Sequence, residues 1–206
     1  MPVKQLTTRE LESGIPSWPP DRTTGSVKQL TTRELESGLD HIRQAPKDHG
    51  ILQLIVRRPR TEERQVLDEG QLDPARGLVG DNWATRVKSP DPATQLNIMN
   101  ARAAALVAVD PERWQLAGDQ LFIDLDLSGA NLTPGTQLVI GSAIIEVSAE
   151  PHTGCKKFTQ RFGLEAMKFV NSTVGRELNL RGVNARVVQA GVIRAGDVVT
   201  KIAKRV

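Results

Sequence analysis

A mainly β domain, a barrel with short peripheral helices that lend it some α+β character, is predicted by three observations. Several short apolar runs end at Gly or Pro, few helical stretches lie between them, and strands and helices do not alternate regularly as a doubly wound sheet requires. The chain has 206 residues, of which 39% are hydrophobic and 25% charged, a globular profile rather than a disordered, fibrous or membrane one. A chain of this size hides roughly 70% of its unfolded surface on folding, so it needs no cross-links.

The N-terminal region carries an unusual feature: the twelve residues VKQLTTRELESG at 3–14 recur unchanged at 27–38. Two identical copies do not make a solenoid, which needs at least about three units to bury a continuous core. The intervening IPSWPPDRTTGS, with three prolines and no periodicity, reads as a linker. Residues 1–26 are therefore expected to be a mobile appendage, residues 27–48 an N-terminal helical segment, and residues 49–206 the principal domain. In the second copy Thr31 and Glu34 form a T-x-x-E capping box, and Leu35, Leu39 and Ile42 follow at helical spacing before Pro46, predicting one helix over about residues 32–44.

Residues 50–58, GILQLIVRR, read as a strand ended by Pro59, with residues 64–68 as its partner. A Gly/Pro/Asp-rich loop covers residues 73–81, and Asn100 caps a helix, ARAAALVAV, that Asp110-Pro111 closes before a short ERWQLAG extension. LFIDLDL at 121–127 has the alternation of a half-buried strand. QLVIGSAIIEV at 137–147 is a pair of apolar runs bent at Gly141-Ser142. Thr153 is positioned to cap a helix through residue 162, and residues 164–171 continue helically past Gly163. The last stretch, ARVVQAGVIRAGDVVTKI, reads as strand, turn, strand.

Several function classes lose their footing on this sequence. No apolar stretch approaches the roughly 20 residues that span a bilayer, and the N-terminus lacks the apolar core of a secretory signal, so a cytoplasmic protein is expected, with no membrane partner. The single cysteine, Cys155, allows no intrachain disulfide and suits a reducing compartment. A net charge of +3, with three Trp, four Phe and no Tyr, gives nucleic-acid binding little support. There is no G-x-G-x-x-G, G-x-x-x-x-G-K-[ST], H-E-x-x-H or G-x-S-x-G motif.

The remaining chemistry concentrates in EPHTGCKKFTQRFG at 150–163. Were Thr153 the N-cap, Cys155 would fall in the first helical turn, where free backbone N–H groups and the helix dipole stabilise a thiolate. Lys156, Lys157, Arg161 and His152 act in the same direction. A thiolate is both the better nucleophile and the better ligand for a soft transition metal. His152 stands either as a catalytic group or as a polar structural residue.

At these residues the chain resembles the MOSC domain, the family named for the C-terminal part of molybdenum cofactor sulfurases. The resemblance runs through GLVGD at 77–81, QLNIMN at 95–100, AGDQL at 117–121, GANLTPG at 129–135, LVIGSA at 138–143, PHTGC at 151–155 and GVIRAGD at 191–197. It implies that residues 49–206 form a MOSC-type barrel. It also implies that Cys155 either ligates molybdenum in a bound pterin cofactor or carries sulfur as a persulfide. In the family's reductase branch N-hydroxylated compounds are reduced, with Cys155 and His152 as the candidate catalytic residues here. Arg102, Asn131, Lys156, Arg161 and Arg181 are the candidate cofactor-binding residues, since Arg clamps phosphate bidentately. A reductase would take electrons from a separate donor protein and act on a small molecule. A sulfur carrier would take sulfur from a pyridoxal-phosphate-dependent cysteine desulfurase.

Overall fold

The computed structural model describes residues 28–202; the first copy of the repeat and the expected mobile appendage therefore lie outside the described residues. The elements run α1 (Thr32–Ser37), α2 (Leu39–Arg43), β1 (His49–Arg57), β2 (Gln65–Leu67), β3 (Glu69–Asp73), β4 (Gly77–Leu78), β5 (Leu96–Asn100), α3 (Ala101–Ala108) and β6 (Leu121–Asp124). They continue through β7 (Gln137–Ile140), β8 (Ala143–Val147), α4 (Lys156–Phe162), α5 (Leu164–Asn171), α6 (Thr173–Glu177), β9 (Val183–Gln189), β10 (Gly191–Arg194) and β11 (Val198–Lys201).

Seven strands close a mixed barrel in the order β11-β7-β8-β9-β5-β6-β1, the ring being shut by the β11–β1 pairing. β2 extends β1 at one edge, and β10, β3 and β4 form a separate small sheet. Among the described residues only β5 and β6 pair in parallel, because α3 and a 3-10 turn at Pro111–Ala117 carry the chain back between them.

The barrel interior is filled by Leu52, Ile55, Ile98, Leu121, Ile123, Leu138, Ile145 and Val199 among others. A second apolar layer, with Leu35, Val56, Met99, Phe122, Phe158, Phe162 and Leu180, lies between the barrel wall and the helices. β6 serves both layers: Leu121 and Ile123 face inward while Phe122 faces the helices, and all three are fully buried. The half-buried strand expected at 121–127 is thus buried on both faces and ends at Asp124. In β1 the register shifts between Leu52 and Leu54, a bulge at Gln53 that lets Leu52 and Ile55 both point inward while Leu54 and Val56 meet the helices.

Other sequence expectations need correction. The single helix over residues 32–44 is two helices, divided at Gly38, whose backbone is pressed against the Leu106 side chain. The capping box of Thr31 and Glu34 does form. The terminal strand pair is three strands, because β10 leaves the barrel to pair with β3. β3, β5 and α6 fall where the sequence reading placed loops or left the chain unassigned. Asn100 caps α3 as expected, accepting from the Ala103 N–H at 3.0 Å.

Candidate functional site

An open cleft of roughly 330 Å³ lies beside the second apolar layer. Its walls are the loop after β1, the turn after Asp81, the Ala117-Gly118 turn and helix α4. Cys155, Phe158, Asn82 and Asn97 line it, together with Arg58, Arg60, Arg64, Arg86, Lys157, Arg161 and Arg181; Glu62 is the one carboxylate among the lining residues.

Two of those arginines form its floor and are neutralised from below. Arg58 donates to both oxygens of Asp81, Nε to Oδ2 at 2.9 Å and Nη2 to Oδ1 at 3.0 Å, and its Nη1 donates to Asn97 and to the Gly118 carbonyl. Arg181 donates through Nη1 to both oxygens of Asp119, at 2.9 and 2.7 Å, and through Nη2 to the Ala117 carbonyl. Both carboxylates are buried, so the pairs are locked by geometry as well as by charge. The turn that supplies Ala117 O, Gly118 O and Asp119 depends on Gly118 at φ 92°, a left-handed conformation that favours glycine. Phe158 lies under Arg181, 5.0 Å from its guanidinium carbon to the ring centre.

The rim arginines differ. Among the described residues Arg60, Arg64 and Arg86 have no carboxylate partner. Arg64 gives one bond to the Glu63 carbonyl and keeps its buried Nε without a partner. Its pKa is lowered by burial first and then by Arg161 and Arg58; that of Arg86 is lowered by burial first and then by Arg58. Both stay cationic at neutral pH, and the crowding of cations around Arg58 favours an anion in the cleft.

Cys155 is exposed at this cleft and bears a free thiol. α4 begins one residue after it, and Cys155 itself is the N-cap, in extended conformation and without a side-chain capping bond. The expectation that Thr153 caps the helix and places the cysteine in the first turn is therefore corrected: no helical residue precedes Lys156 in this segment. Asn171 of α5 brackets that peptide, accepting from Gly154 N–H at 2.9 Å and donating to Gly154 O at 3.2 Å. A Cβ at Gly154 would stand 3.0 Å from both Asn171 and Val170, so the glycine before the cysteine permits this close approach.

The other expected residues divide. Arg161 and Arg181 line the cleft beside Cys155. Lys156 is exposed and does not line it. Arg102 is held by Asp124 at 2.7 Å and by the His41 carbonyl, and Asn131 by the Lys47 and Asp126 carbonyls and Lys201; neither lines the cleft. His152 lies behind it, with Nδ1 3.3 Å from Asn97 Nδ2 and Nε2 3.8 Å from Asp119 Oδ1. Burial, followed by the charge of Arg181, lowers its pKa to about 4, so the contact with Asp119 joins a neutral imidazole to a carboxylate. Asn97 Nδ2 also donates to Asn184 Oδ1, which assigns it as donor to Nδ1 and leaves the ring proton on Nε2.

Sequence reasoning missed Arg58, Arg60, Arg64, Arg86 and Asn97. A signal was present in RRPRTEER at 57–64, where arginines cluster around the proline that ends a strand.

The comparisons agree with this architecture. The model of the MOSC domain matches residues 81–200. Among solved structures, the YuaD protein from Bacillus subtilis superposes with a TM-score of 0.58 at 13% identity, covering 76% of this chain and 97% of that one. YiiM from Escherichia coli gives 0.51 at 20% identity over 75% and 71%, and YiiM from Geobacillus stearothermophilus 0.52 at 14% over 75% and 76%. These structures show the shared fold, and no curated protein matches. With the matched model extending from Asp81 to Thr200, over most of the barrel and the Cys155 segment, the chain belongs to the MOSC domain family.

Proposed function

We propose that the chain binds a molybdenum–pterin cofactor in this cleft through Cys155 and reduces an N-hydroxylated small molecule. The observation that carries the reading is the placement of one exposed thiol in a cleft with seven cationic side chains and a single lining carboxylate. Among the described residues no three His, Cys, Asp or Glu side chains converge to hold a bare metal ion. A metal at Cys155 must then bring its other ligands with it, as an organic complex does. The donor set fits such an anion: Arg64 presents an unpartnered Nε, and Arg60 and Arg86 lack carboxylate partners among the described residues.

In this reading Cys155 Sγ is the protein ligand, and the Asn171 bracket on Gly154 fixes where it stands. The rim arginines hold the anionic part of the cofactor, while Arg58 and Arg181 keep the floor rigid. When bound, molybdenum supplies two-electron redox chemistry. The overall reaction takes R–NH–OH with two electrons and two protons to R–NH₂ and water, the N–O bond breaking and the electrons coming from a separate donor protein. The test is dye-driven reduction of a hydroxylaminopurine by protein made in cofactor-replete cells. Turnover by wild type and its loss in Cys155→Ser is expected; equal turnover by both overturns the role of Cys155.

Exposure of the thiol also favours a second reading, a sulfur carrier loaded as a persulfide by a pyridoxal-phosphate-dependent cysteine desulfurase. Incubation with a desulfurase and cysteine should then add one sulfur to the intact mass of wild type and none to Cys155→Ser.

A further inference from the structure

Glu62 does something unusual for the one carboxylate lining a cationic cleft. It sits on the loop between β1 and β2 and reaches across to α4, where its two oxygens are taken by different cations. Oε1 accepts from Lys157 Nζ at 2.8 Å and Oε2 from Arg161 Nη2 at 2.5 Å. Lys157 and Arg161 are four residues apart and so lie on one face of the helix. Arg161 is further fixed by its Nη1 bond to the Leu116 carbonyl at 2.9 Å. A pair of cations engaging two oxygens of one group is the arrangement that recognises a ligand oxyanion. Here a side chain of the protein occupies it. The backbone of Glu62 is left-handed, with φ 63°, a conformation that is strained for a non-glycine residue and persists where its surroundings enforce it.

We propose that Glu62 is a built-in surrogate anion that occupies the Lys157–Arg161 clamp and weakens the binding of every ligand oxyanion until one displaces it. This inference rests on the reading of the cleft as an anion site. A singly charged ligand that replaces the Glu62 carboxylate exchanges one unit charge for another and loses to a tethered competitor, whose effective concentration is high. A doubly charged group gains from the same clamp and from Arg60, Arg64 and Arg86, which line the same cleft. The surrogate stays ionised throughout the neutral range, since the Lys157 bond first and the Arg161 bond second lower its pKa to about 2. Its hold on the clamp therefore does not switch with mild changes of pH.

The test uses sulfate and acetate as probes, titrated at constant ionic strength into the full chain while the amide resonances of Lys157 and Arg161 are followed. Wild type is expected to bind sulfate well ahead of acetate. In Glu62→Gln sulfate should bind about fivefold more tightly and acetate should gain no more than that, since both lose the same tethered, solvent-screened competitor. Unchanged or weaker sulfate binding in Glu62→Gln overturns the proposal. Lys157→Gln, at an exposed position, should weaken sulfate in both backgrounds, and no effect there also overturns it. These titrations need no molybdenum. A chain that carries no cofactor yet shows the Glu62→Gln gain leaves this inference standing and removes the cofactor reading; a loaded chain without the gain does the reverse.

Discussion

Arg58 and Arg181 on the floor of the cleft and Arg64 and Arg86 on its rim are the same residue type a short distance apart, and they do different work. The floor pair is buried and matched to Asp81 and Asp119, so its charge is spent inside the protein. The rim pair has no carboxylate among the described residues, and its charge is directed to whatever enters. What separates them is whether an acidic residue from a neighbouring turn reaches the guanidinium. A cationic site thus needs internal carboxylates to keep part of its charge rigid, and it needs their absence elsewhere to keep part of it free.

The sharpest way to break the comparison is to strand a floor arginine. Asp119→Ala leaves Arg181 buried and unpaired and is expected to lower stability by about 3–5 kcal/mol, read by urea denaturation. A loss under about 1 kcal/mol would place Arg181 with the rim.

Acid should find the floor next. His152 has a folded pKa of about 4 against 6.5 unfolded, so between those values the unfolded chain binds the extra proton. Stability from this group is complete above pH 6.5 and falls as pH drops toward 4, with a slope of up to about 1.4 kcal/mol per pH unit. Denaturation midpoints at pH 7 and pH 5 should differ in wild type, and His152→Gln should flatten that difference. Glu34 and Glu62, each lowered to about 2, act in the separate window below their unfolded 4.5.

A smaller effect is expected where the floor meets the cysteine. Asn171→Ala removes both bonds to Gly154 and should cost about 1–2 kcal/mol, while altering the rate at which iodoacetamide alkylates Cys155. An unchanged alkylation rate would show that the bracket stabilises without positioning. At the rim, Arg64→Gln and Arg86→Gln should each change stability by no more than about 0.5 kcal/mol while weakening sulfate binding and its salt dependence.

The barrel was legible from its short apolar runs because strands such as β7 and β8 alternate and are punctuated by Gly141-Ser142. β5 was not, since LNIMN packs on both faces and ends in a helix cap, which hides the period of two. Cys155 stood out by its charged flanks, Arg161 shared its segment, and Arg181 entered only through the family resemblance. The rim arginines cluster in RRPRTEER at 57–64, but no local pattern encodes that this loop and Arg86 share a cleft with α4. Arg102 and Asn131 looked equally suited to an anion until Asp124 and the Lys47 and Asp126 carbonyls were seen to hold them.

The central claim, that Cys155 anchors a cofactor which the surrounding cations hold, is tested most directly by counting molybdenum and pterin per chain in wild type and Cys155→Ser purified from cofactor-producing cells. Near-stoichiometric metal in wild type, and at least about a tenfold loss in a variant whose stability changes by no more than about 0.5 kcal/mol, is the expected result. Equal metal in both proteins, or none in either, contradicts the claim.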